Sequence, residues 1–265
     1  MSEPAYYIGT MGFTYEPWRN GAFYPAGMKQ SQFLTYYSQR FNALEMDSTF
    51  YAVPPPETVE RWTAVTDADF IICPKTPRSI THDLRAGSAI EPMLAFLEVM
   101  RRLDGQLGPV LIQFPPDFTS GAMARLTEFL AALPTDLRYA VEFRHTSWDN
   151  PETAQMLASR RVAWVMADYI HMPQRIIQRT ADFLYLRFLG RHGQFPSKDR
   201  EQVDKTAVLQ QWYEQINEHD GEITAVYAFF NNDYAGFSPA TCNKFKQIVG
   251  LTSEEIRPYQ QGRLF

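Results

Sequence analysis

Cysteine is scarce in this sequence of 265 residues, and the two that occur, Cys73 and Cys242, lie far apart. Two distant cysteines cannot build a disulfide framework or a metal site of closely spaced cysteine pairs. No apolar run approaches the roughly 18 residues of a membrane-spanning helix, and the N-terminus lacks a basic stretch followed by an apolar one. We therefore expect a cytoplasmic protein without a membrane partner.

Several well-known catalytic motifs are also missing. The sequence has no P-loop, no Gly-x-Ser-x-Gly elbow, no His-Glu-x-x-His pair, and no Gly-x-Gly-x-x-Gly after its first apolar run. Positive charge is not in excess either, because 25 Lys and Arg stand against 30 Asp and Glu, a net charge of −5. This balance excludes a protein that coats nucleic acid through bulk charge, although a local basic groove stays open.

Eight short apolar runs rich in β-formers are present, and they alternate with longer amphipathic stretches. The runs are AYYIGT, NALEMD, DFIICPK, GPVLIQF, RYAVEFRH, RVAWVMAD, DFLYLRF and ITAVYAFFNN. Strands alternating with helices predict a parallel sheet, and eight such units predict a single (β/α)8 TIM-type barrel over residues 1–250. Residues 251–265 follow it as a tail. An open doubly wound sheet is the alternative.

The stretches between the runs predict helices near residues 31–41, 90–103, 122–133, 204–218 and 239–249. Asn150 and Pro151 form an N-cap and first-turn pair that predicts the start of another helix. The connection after the sixth run, residues 169–182, has only a weak helical signal.

Polar side chains end nearly every predicted strand, which is where a barrel carries its catalytic groups. They are Glu45, Asp47, Lys75, Gln113, Glu142, Arg144, His145, Asp168, Arg187, Asn231, Asn232 and Asp233. Facing carboxylates could shift one another's pKa and act as a general acid and base. The alternative is an ion-paired ring, with Glu45, Glu142 and Asp168 set against Lys75, Arg144 and Arg187. Lys75 could also form a Schiff base, or bind or balance an anion.

Cations and aromatic residues accompany these groups in the predicted loops. The cations are Arg78, His82, Arg85, Arg144, Arg187, Arg191, His192, Lys198 and Arg200. If they share the barrel mouth, they suit a phosphate or carboxylate ligand. Aromatic residues, among them Trp18, Tyr24 and Tyr51, fall in the loops after the first two strands. They can stack on bases or sugars, or pack a long loop against the barrel.

Metal binding is a third hypothesis for the same end of the barrel. The chain has five histidines, and His82 and His145 follow the third and fifth strands, with Glu142 and Asp168 nearby in the predicted barrel. One divalent ion held by His and carboxylate ligands fits these residue types. No ligand spacing supports it, so the cofactor stays unknown.

The segments IGTMGFTYEPWRNGAFYP, LEMDSTFY, ITHDLR, LGPVLIQFPP, YAVEFRHTSW, YLRFLG and FFNND carry a likeness that runs from about Ile8 to Val249. Together they resemble the YecE-like family, also called domain of unknown function 72. The resemblance implies a TIM-type barrel but no established activity. Its signature maps onto Glu45, Thr49, Tyr51, Lys75, Thr81, His82, Gln113, Glu142, Arg144, His145, Trp148, Asp168, Arg187, Asn231, Asn232 and Asp233. Asp47 and Leu189 depart from the family pattern, which usually has Asn and His there.

The chain ends in Gln261-Gly262-Arg263-Leu264-Phe265. A Gln-x-x-Leu-Phe ending resembles the short peptide by which bacterial DNA-maintenance proteins bind the sliding clamp. In that hypothesis Gln261 hydrogen-bonds at the groove, and Leu264 and Phe265 fill an apolar pocket. The alternative is a tail whose last two residues pack back on the barrel.

The leading hypothesis is an enzyme that acts on a phosphate-containing substrate, a small molecule or nucleic acid, at the barrel mouth. Arg144, Arg187 and Lys75 would hold the anion; Glu142, Glu45 or Asp168 would act as base, and His82 or His145 as acid. Further ligand contacts would come from Gln113, Trp18, Tyr24, Tyr51, Trp148, Asn231, Asn232 and Asp233. The alternatives are a non-catalytic DNA-maintenance module recruited by its tail, and a metal-dependent sugar isomerase or lyase.

Overall fold

The computed structural model describes residues 3–19, 21–84, 89–170, 172 and 177–253. Strands occur at all eight predicted positions. They are β1 (Ala5–Thr10), β2 (Ala43–Met46), β3 (Ile71–Pro74), β4 (Val110–Gln113), β5 (Tyr139–Glu142), β6 (Ala163–Trp164), β7 (Met166–Asp168), β8 (Phe183–Phe188) and β9 (Ala225–Phe230). The sixth predicted strand is divided at Val165 into β6 and β7.

Helices fill most of the connections between the strands. In the described residues they are α1 (Phe33–Ser38), α2 (Pro56–Ala64), α3 (Arg78–Asp83), α4 (Ile90–Met100), α5 (Met123–Ala131), α6 (Pro151–Ser159), α7 (Thr206–Asn217), α8 (Asn232–Ala235) and α9 (Ser238–Ile248). The predicted cap of α6 is confirmed, because the Asn150 side chain accepts a hydrogen bond from the Thr153 backbone N–H at 2.9 Å.

The strands form three sheets in which all neighbours run parallel. The sheet orders are β1-β9-β8-β7, β2-β3 and β4-β5-β6. Single parallel bridges join Met11 to Glu45 and Lys75 to Leu111, so β1 lies beside β2 and β3 beside β4. Parallel strands joined by helices establish an α/β fold, as the alternating sequence pattern predicts.

Two apolar clusters lie on opposite faces of these strands. The larger one packs the strands against the helices and includes Leu44, Val141 and Leu186. The smaller one, which we call the inner cluster, contains the alternate residues of the same strands: Met11, Ala43, Cys73, Leu111, Ala140, Ala163, Val165, Ala181, Phe183, Tyr185, Ala225, Tyr227 and Phe229. Strands buried on both faces explain the continuous apolar runs of the sequence.

The loop after β1 is packed onto the helix layer by its aromatic residues. Trp18 and Tyr24 are fully buried, and Tyr24 stacks on Phe33 of α1 with ring centroids 3.9 Å apart. This agrees with the packing interpretation for Trp18 and Tyr24, whereas Tyr51 is exposed. In the described part of the chain, no helix is both long and apolar enough to cross a membrane.

Candidate functional site

The carboxyl ends of the strands carry a set of buried charged residues, and we call this region the carboxyl edge. Glu45 is the third residue of β2 and lies on the same strand face as Ala43 of the inner cluster, and Arg187 follows Tyr185 on that face of β8. Glu142 is the last residue of β5. Side chains from distant parts of the sequence therefore converge at one end of the parallel strands.

Arg187 binds two carboxylates at once. Its Nε and Nη2 donate to Glu45 Oε2 and Oε1 at 3.0 and 2.6 Å, while Nη1 donates to Glu142 Oε2. Nη1 also lies 3.3 Å from the Gln113 side-chain oxygen. The Arg187 side chain is only 2% exposed, and those of Glu45 and Glu142 are 0% and 1% exposed. A guanidinium fork of this kind fixes both carboxylates in place.

The pKa values of the two glutamates move in opposite directions. Burial raises the pKa of Glu45, and the opposing charge of Arg187 does not cancel this effect. Burial also acts to raise the pKa of Glu142, but Arg144 and Arg187 together outweigh it, so that this pKa is lowered. Carboxyl groups whose environments separate their pKa values are suited to different roles as proton donor and proton acceptor.

Arg144 lies at the outer end of this network. Its Nε is ion-paired with Glu142 Oε1, and its guanidinium carbon lies 4.5 Å from the centre of the Tyr169 ring. Nη2 is 3.5 Å from the Gln113 oxygen, which Arg187 also contacts. The side chain is 15% exposed, so Arg144 is accessible to a ligand in a way that Arg187 is not.

Lys75 follows β3, and its side chain is 11% exposed. The ammonium nitrogen lies 4.3 Å from the centre of the Phe50 ring and 3.6 Å from Asp47 Oδ1. The hydroxyl of Thr49 holds the backbone of Lys75, because it lies 3.0 Å from the Lys75 nitrogen and 2.7 Å from the carbonyl oxygen. Burial lowers the pKa of Lys75, although Asp47 opposes the shift.

The carboxyl edge near Lys75 carries an exposed aromatic residue. Tyr51 is 84% exposed and makes an edge contact with Phe50, whose ring also lies 6.5 Å from that of His82. His82 itself is half-buried, with Nδ1 3.3 Å from the Thr81 hydroxyl. The ligand contact predicted for Tyr51 and the acid role predicted for His82 stay predictions.

His145, which follows β5, is hydrogen-bonded within its own loop. Its Nδ1 lies 3.1 Å from the Ser147 backbone nitrogen and 2.9 Å from the Ser147 hydroxyl, so that it caps the short turn Thr146–Trp148. Within the described residues, no group of three or more His, Cys, Asp or Glu side chains could hold a metal ion. The metal-dependent isomerase or lyase alternative receives no further support.

Asp168 and the residues after β9 form a separate group. Asp168 lies two residues after Met166 of the larger cluster in β7, so it is on the strand face opposite the inner cluster, where Tyr234 donates a hydrogen bond to Oδ2 at 2.8 Å. Asn231 caps α8 through the Asp233 backbone N–H. Asp233 is ion-paired with Lys198 at 2.9 Å. None of the described hydrogen bonds or ion pairs joins this group to the Glu45–Arg187–Glu142 network.

Three predicted ligand contacts are fully buried in the structure. The Trp18 indole donates to Asn232 Oδ1 at 3.0 Å, the Tyr24 hydroxyl to the Phe13 carbonyl, and the Trp148 indole to the Phe118 carbonyl. Because Trp18, Tyr24 and Trp148 expose no surface, they pack beneath the loops and stabilise the loop conformations. Direct contact with a ligand stays a prediction for them.

The predicted ion-paired ring is found in part. Glu45, Arg187, Glu142 and Arg144 form a continuous chain of ion pairs, whereas Lys75 pairs with Asp47. Sequence reasoning did not select Tyr185, whose hydroxyl donates to Glu45 Oε2 at 2.9 Å. The available signal was its position two residues before Arg187, which places both side chains on one strand face.

Two cavities lie at the amino ends of the strands, with volumes of about 560 and 420 Å³. They share residues 136–138, and their charged walls include exposed ion pairs such as Arg101 with Asp136. Such solvated pairs contribute little energy and place no buried charge near a ligand. The carboxyl edge, where charges are buried and networked, is the stronger candidate site. Gln261, Leu264 and Phe265 of the predicted clamp-binding tail lie outside the described residues.

Comparison with known proteins identifies a family without an assigned activity. A family model described as "Protein of unknown function DUF72" matches residues 7–263. The Escherichia coli K12 protein YecE is 36% identical over 112 residues, a match spanning 42% of this chain and about two fifths of that protein. The Bacillus subtilis protein YunF is 23% identical and is aligned over 96% of this chain and 98% of its own length.

Solved structures of similar proteins share the fold. A DUF72 family protein from Thermotoga maritima has a TM-score of 0.76 and is 30% identical, covering 92% of this chain and 99% of its own. A DUF72 family protein from Enterococcus faecalis has a TM-score of 0.73 at 21% identity, covering 95% and 100%.

Proposed function

The chain belongs to the DUF72 family of proteins of unknown function, and from that premise we propose that its carboxyl edge binds a phosphate-containing substrate and performs acid–base chemistry on it. The observation that carries this proposal is the pair of partly accessible cations, Lys75 and Arg144, on either side of Gln113. Their side chains are 11% and 15% exposed. Partly desolvated cations at one edge suit a compact, multiply charged anion.

We propose in addition that the three sheets form one closed (β/α)8 barrel. The bridges at Met11–Glu45 and Lys75–Leu111 connect neighbouring sheets, and Val165 links β6 of one sheet to β7 of another. In a closed barrel the inner cluster fills the interior, and the groups above it form the floor of a pocket. The carboxyl edge is then concave, as a substrate site requires.

The buried Glu45–Arg187–Glu142 network holds the accessible charged groups in position for binding. Every nitrogen of Arg187 already contacts a carboxylate, an amide oxygen or the Met11 sulfur, so we assign this residue a positioning role. Arg144 contacts the phosphate, and Lys75 provides the second charge or carries a proton. Glu45, with its raised pKa, is suited to hold a proton, while Glu142 is suited to remain ionised.

Calorimetric titration with inorganic phosphate and with pyrophosphate tests the binding proposal. The wild-type protein is expected to bind, with an affinity that falls as salt is added. Arg144→Gln is expected to weaken binding at least about tenfold, the loss of roughly one charge-assisted hydrogen bond. The matched control is Arg160→Gln, which changes an exposed arginine at the end of α6 and should leave binding unaltered.

Two results would separate the alternatives. If neither anion binds, or if Arg144→Gln binds as tightly as the wild type, the proposed site is wrong. If binding is intact but a panel of phosphate esters is never consumed, the protein is a binding module rather than an enzyme. The nucleic-acid alternative predicts that single-stranded oligonucleotides compete with pyrophosphate for this site.

A further inference from the structure

The surroundings of Lys75 differ from those of the other buried cation. Arg187 is saturated with hydrogen bonds, whereas none of the described residues accepts a hydrogen bond from Lys75 Nζ. The nearest carboxylate oxygen, Asp47 Oδ1, is 3.6 Å away. A lysine that serves only to balance charge would be expected to form a direct hydrogen-bonded pair when buried to this degree.

The backbone of Lys75 is held rigidly, although its amine is loosely paired. Thr49 contacts both its backbone nitrogen and its carbonyl oxygen, and the next residue, Thr76, donates its N–H to the Leu111 carbonyl at 2.8 Å. The side chain therefore extends from a fixed point at the end of β3. The Phe50 ring covers one side of the amine at 4.3 Å. This arrangement presents a positioned amine to the carboxyl edge.

The protonation state of this amine is also unusual. Burial lowers the pKa of Lys75, Arg187 acts in the same direction, and the carboxylates of Asp47, Glu45 and Glu142 oppose them without cancelling the shift. A larger fraction of the amine is then neutral near pH 7 than for an exposed lysine. Only the neutral amine has the lone pair that attacks carbon.

We propose that Lys75 forms an imine with the aldehyde or ketone carbon of a small phosphorylated carbonyl compound. This inference rests on the proposed phosphate site and names the substrate class. The neutral Nζ attacks the carbonyl carbon, and the proton released from nitrogen passes to the former carbonyl oxygen. That hydroxyl takes a second proton and leaves as water, so that a C=N bond replaces the C=O bond. No oxidant or reductant is consumed.

Asp47 is placed to move these protons. Its carboxylate is 3.6 Å from Nζ and its side chain is 30% exposed, so it can contact both the amine and a bound substrate. It accepts the proton that the ammonium form of Lys75 loses on becoming the neutral amine, and it returns that proton to the departing hydroxyl, so that the imine nitrogen keeps one proton and is positively charged. The charged imine then withdraws electrons from the neighbouring C–H or C–C bond, and Asp47 or the Glu45–Glu142 pair accepts the proton released.

Lys75 and Arg144 lie on either side of β4. Lys75 follows β3 and Arg144 follows β5, and Arg144 Nη2 is 3.5 Å from the side-chain oxygen of Gln113 at the end of β4. An imine at Lys75 and a phosphate at Arg144 therefore require a substrate that carries its carbonyl and its phosphate at different ends of its carbon chain.

Reductive trapping tests this inference. The full-length protein is incubated at pH 7 with dihydroxyacetone phosphate or glyceraldehyde 3-phosphate and sodium borohydride, and its mass and tryptic peptides are measured. We expect one adduct per chain, located on Lys75 and formed at least tenfold faster than on Lys198, which is paired with Asp233. The trapping rate should rise with a midpoint below that of an ordinary lysine, whose pKa is about 10.4.

Two variants complete the test. Lys75→Arg keeps the positive charge and should lose the adduct, whereas Lys198→Arg should retain it; thermal melting checks that both are folded. If no adduct forms on Lys75 while pyrophosphate still binds, the imine inference is overturned and the phosphate site stands. If Lys75 is trapped equally fast by unphosphorylated glyceraldehyde and pyrophosphate does not bind, the amine is reactive but the phosphate site is wrong. Labelling spread evenly over the lysines also overturns the inference.

Discussion

Arg187 carries the positive charge on which two buried carboxylates depend, and replacing it with methionine should destabilise the protein strongly. The variant keeps most of the side-chain volume but leaves Glu45 and Glu142 without their shared partner. Breaking a buried ion pair in this way costs about 3–5 kcal/mol. Since a domain is stable by only about 5–15 kcal/mol, this loss removes about a fifth or more of the free energy of unfolding.

The loss should depend on pH in a direction that the structure fixes. In the wild type the pKa of Glu142 is lowered, so the stability it contributes is present above its ordinary pKa and is lost as the pH falls. In Arg187→Met the pKa of Glu45 rises further, because that cation no longer opposes the effect of burial, and the pKa of Glu142 is lowered less, because only Arg144 still pairs with it. Stability from a group with a raised pKa is present below its ordinary pKa, about 4.3, and is lost as the pH rises. The difference between variant and wild type should therefore be larger at pH 8 than at pH 5.

Urea unfolding followed by tryptophan fluorescence measures both effects, since Trp18 and Trp148 are fully buried. The control is Arg160→Met, an exposed change expected to stay within about 0.5 kcal/mol of the wild type. A second variant combines Arg187→Met with glutamine at positions 45 and 142. It leaves no unpaired carboxylate there and should recover most of the lost stability. A loss below about 1 kcal/mol for Arg187→Met, or a loss independent of pH, would refute this reasoning.

Three further predictions concern other parts of the chain. A Cβ at Gly190 would lie 1.5 Å from the backbone oxygen of Asp233 in α8, so Gly190→Ala should cost about 1–3 kcal/mol in urea unfolding, whereas Gly105→Ala, with open space around it, should not destabilise. Asn232→Ala removes the acceptor of the buried Trp18 indole and should cost about 1–3 kcal/mol; an unchanged midpoint would contradict the role of that hydrogen bond. Deleting residues 261–265 should abolish binding to a bacterial sliding clamp without lowering the melting temperature. If the undeleted protein does not bind the clamp, the clamp-binding hypothesis for this tail is wrong.

The positions of the strands could be predicted from sequence because they depend on local pattern. The run VLI is apolar on both faces and is followed by a polar residue, and β4 ends at that residue, Gln113. The division at Val165 could not be seen in this way. It arises because β6 pairs with β5 while β7 pairs with β8, and the run RVAWVMAD contains no glycine or proline at the break.

The candidate site could be predicted only as a set of residue types. Polar strand ends identified Glu45, Glu142 and Arg187, but nothing in the sequence states that one guanidinium lies between the two carboxylates. That contact depends on the relative positions of strands about 140 residues apart in the chain. Strand alternation would place Asp168 on the face opposite the inner cluster, but the sequence does not show which face of β7 points inward.

The pairing of β1 with β9 has a consequence for how the chain acquires its structure. The sheets β2-β3 and β4-β5-β6 join consecutive strands, whereas β1 aligns Ala5 with Ala225, 225 − 5 = 220 residues later. On the ribosome, the first strand is synthesised long before its hydrogen-bonding neighbour exists. Its edge stays open until residues 225–230 emerge, so the last strand completes the sheet, and ordering of the ends should limit the folding rate.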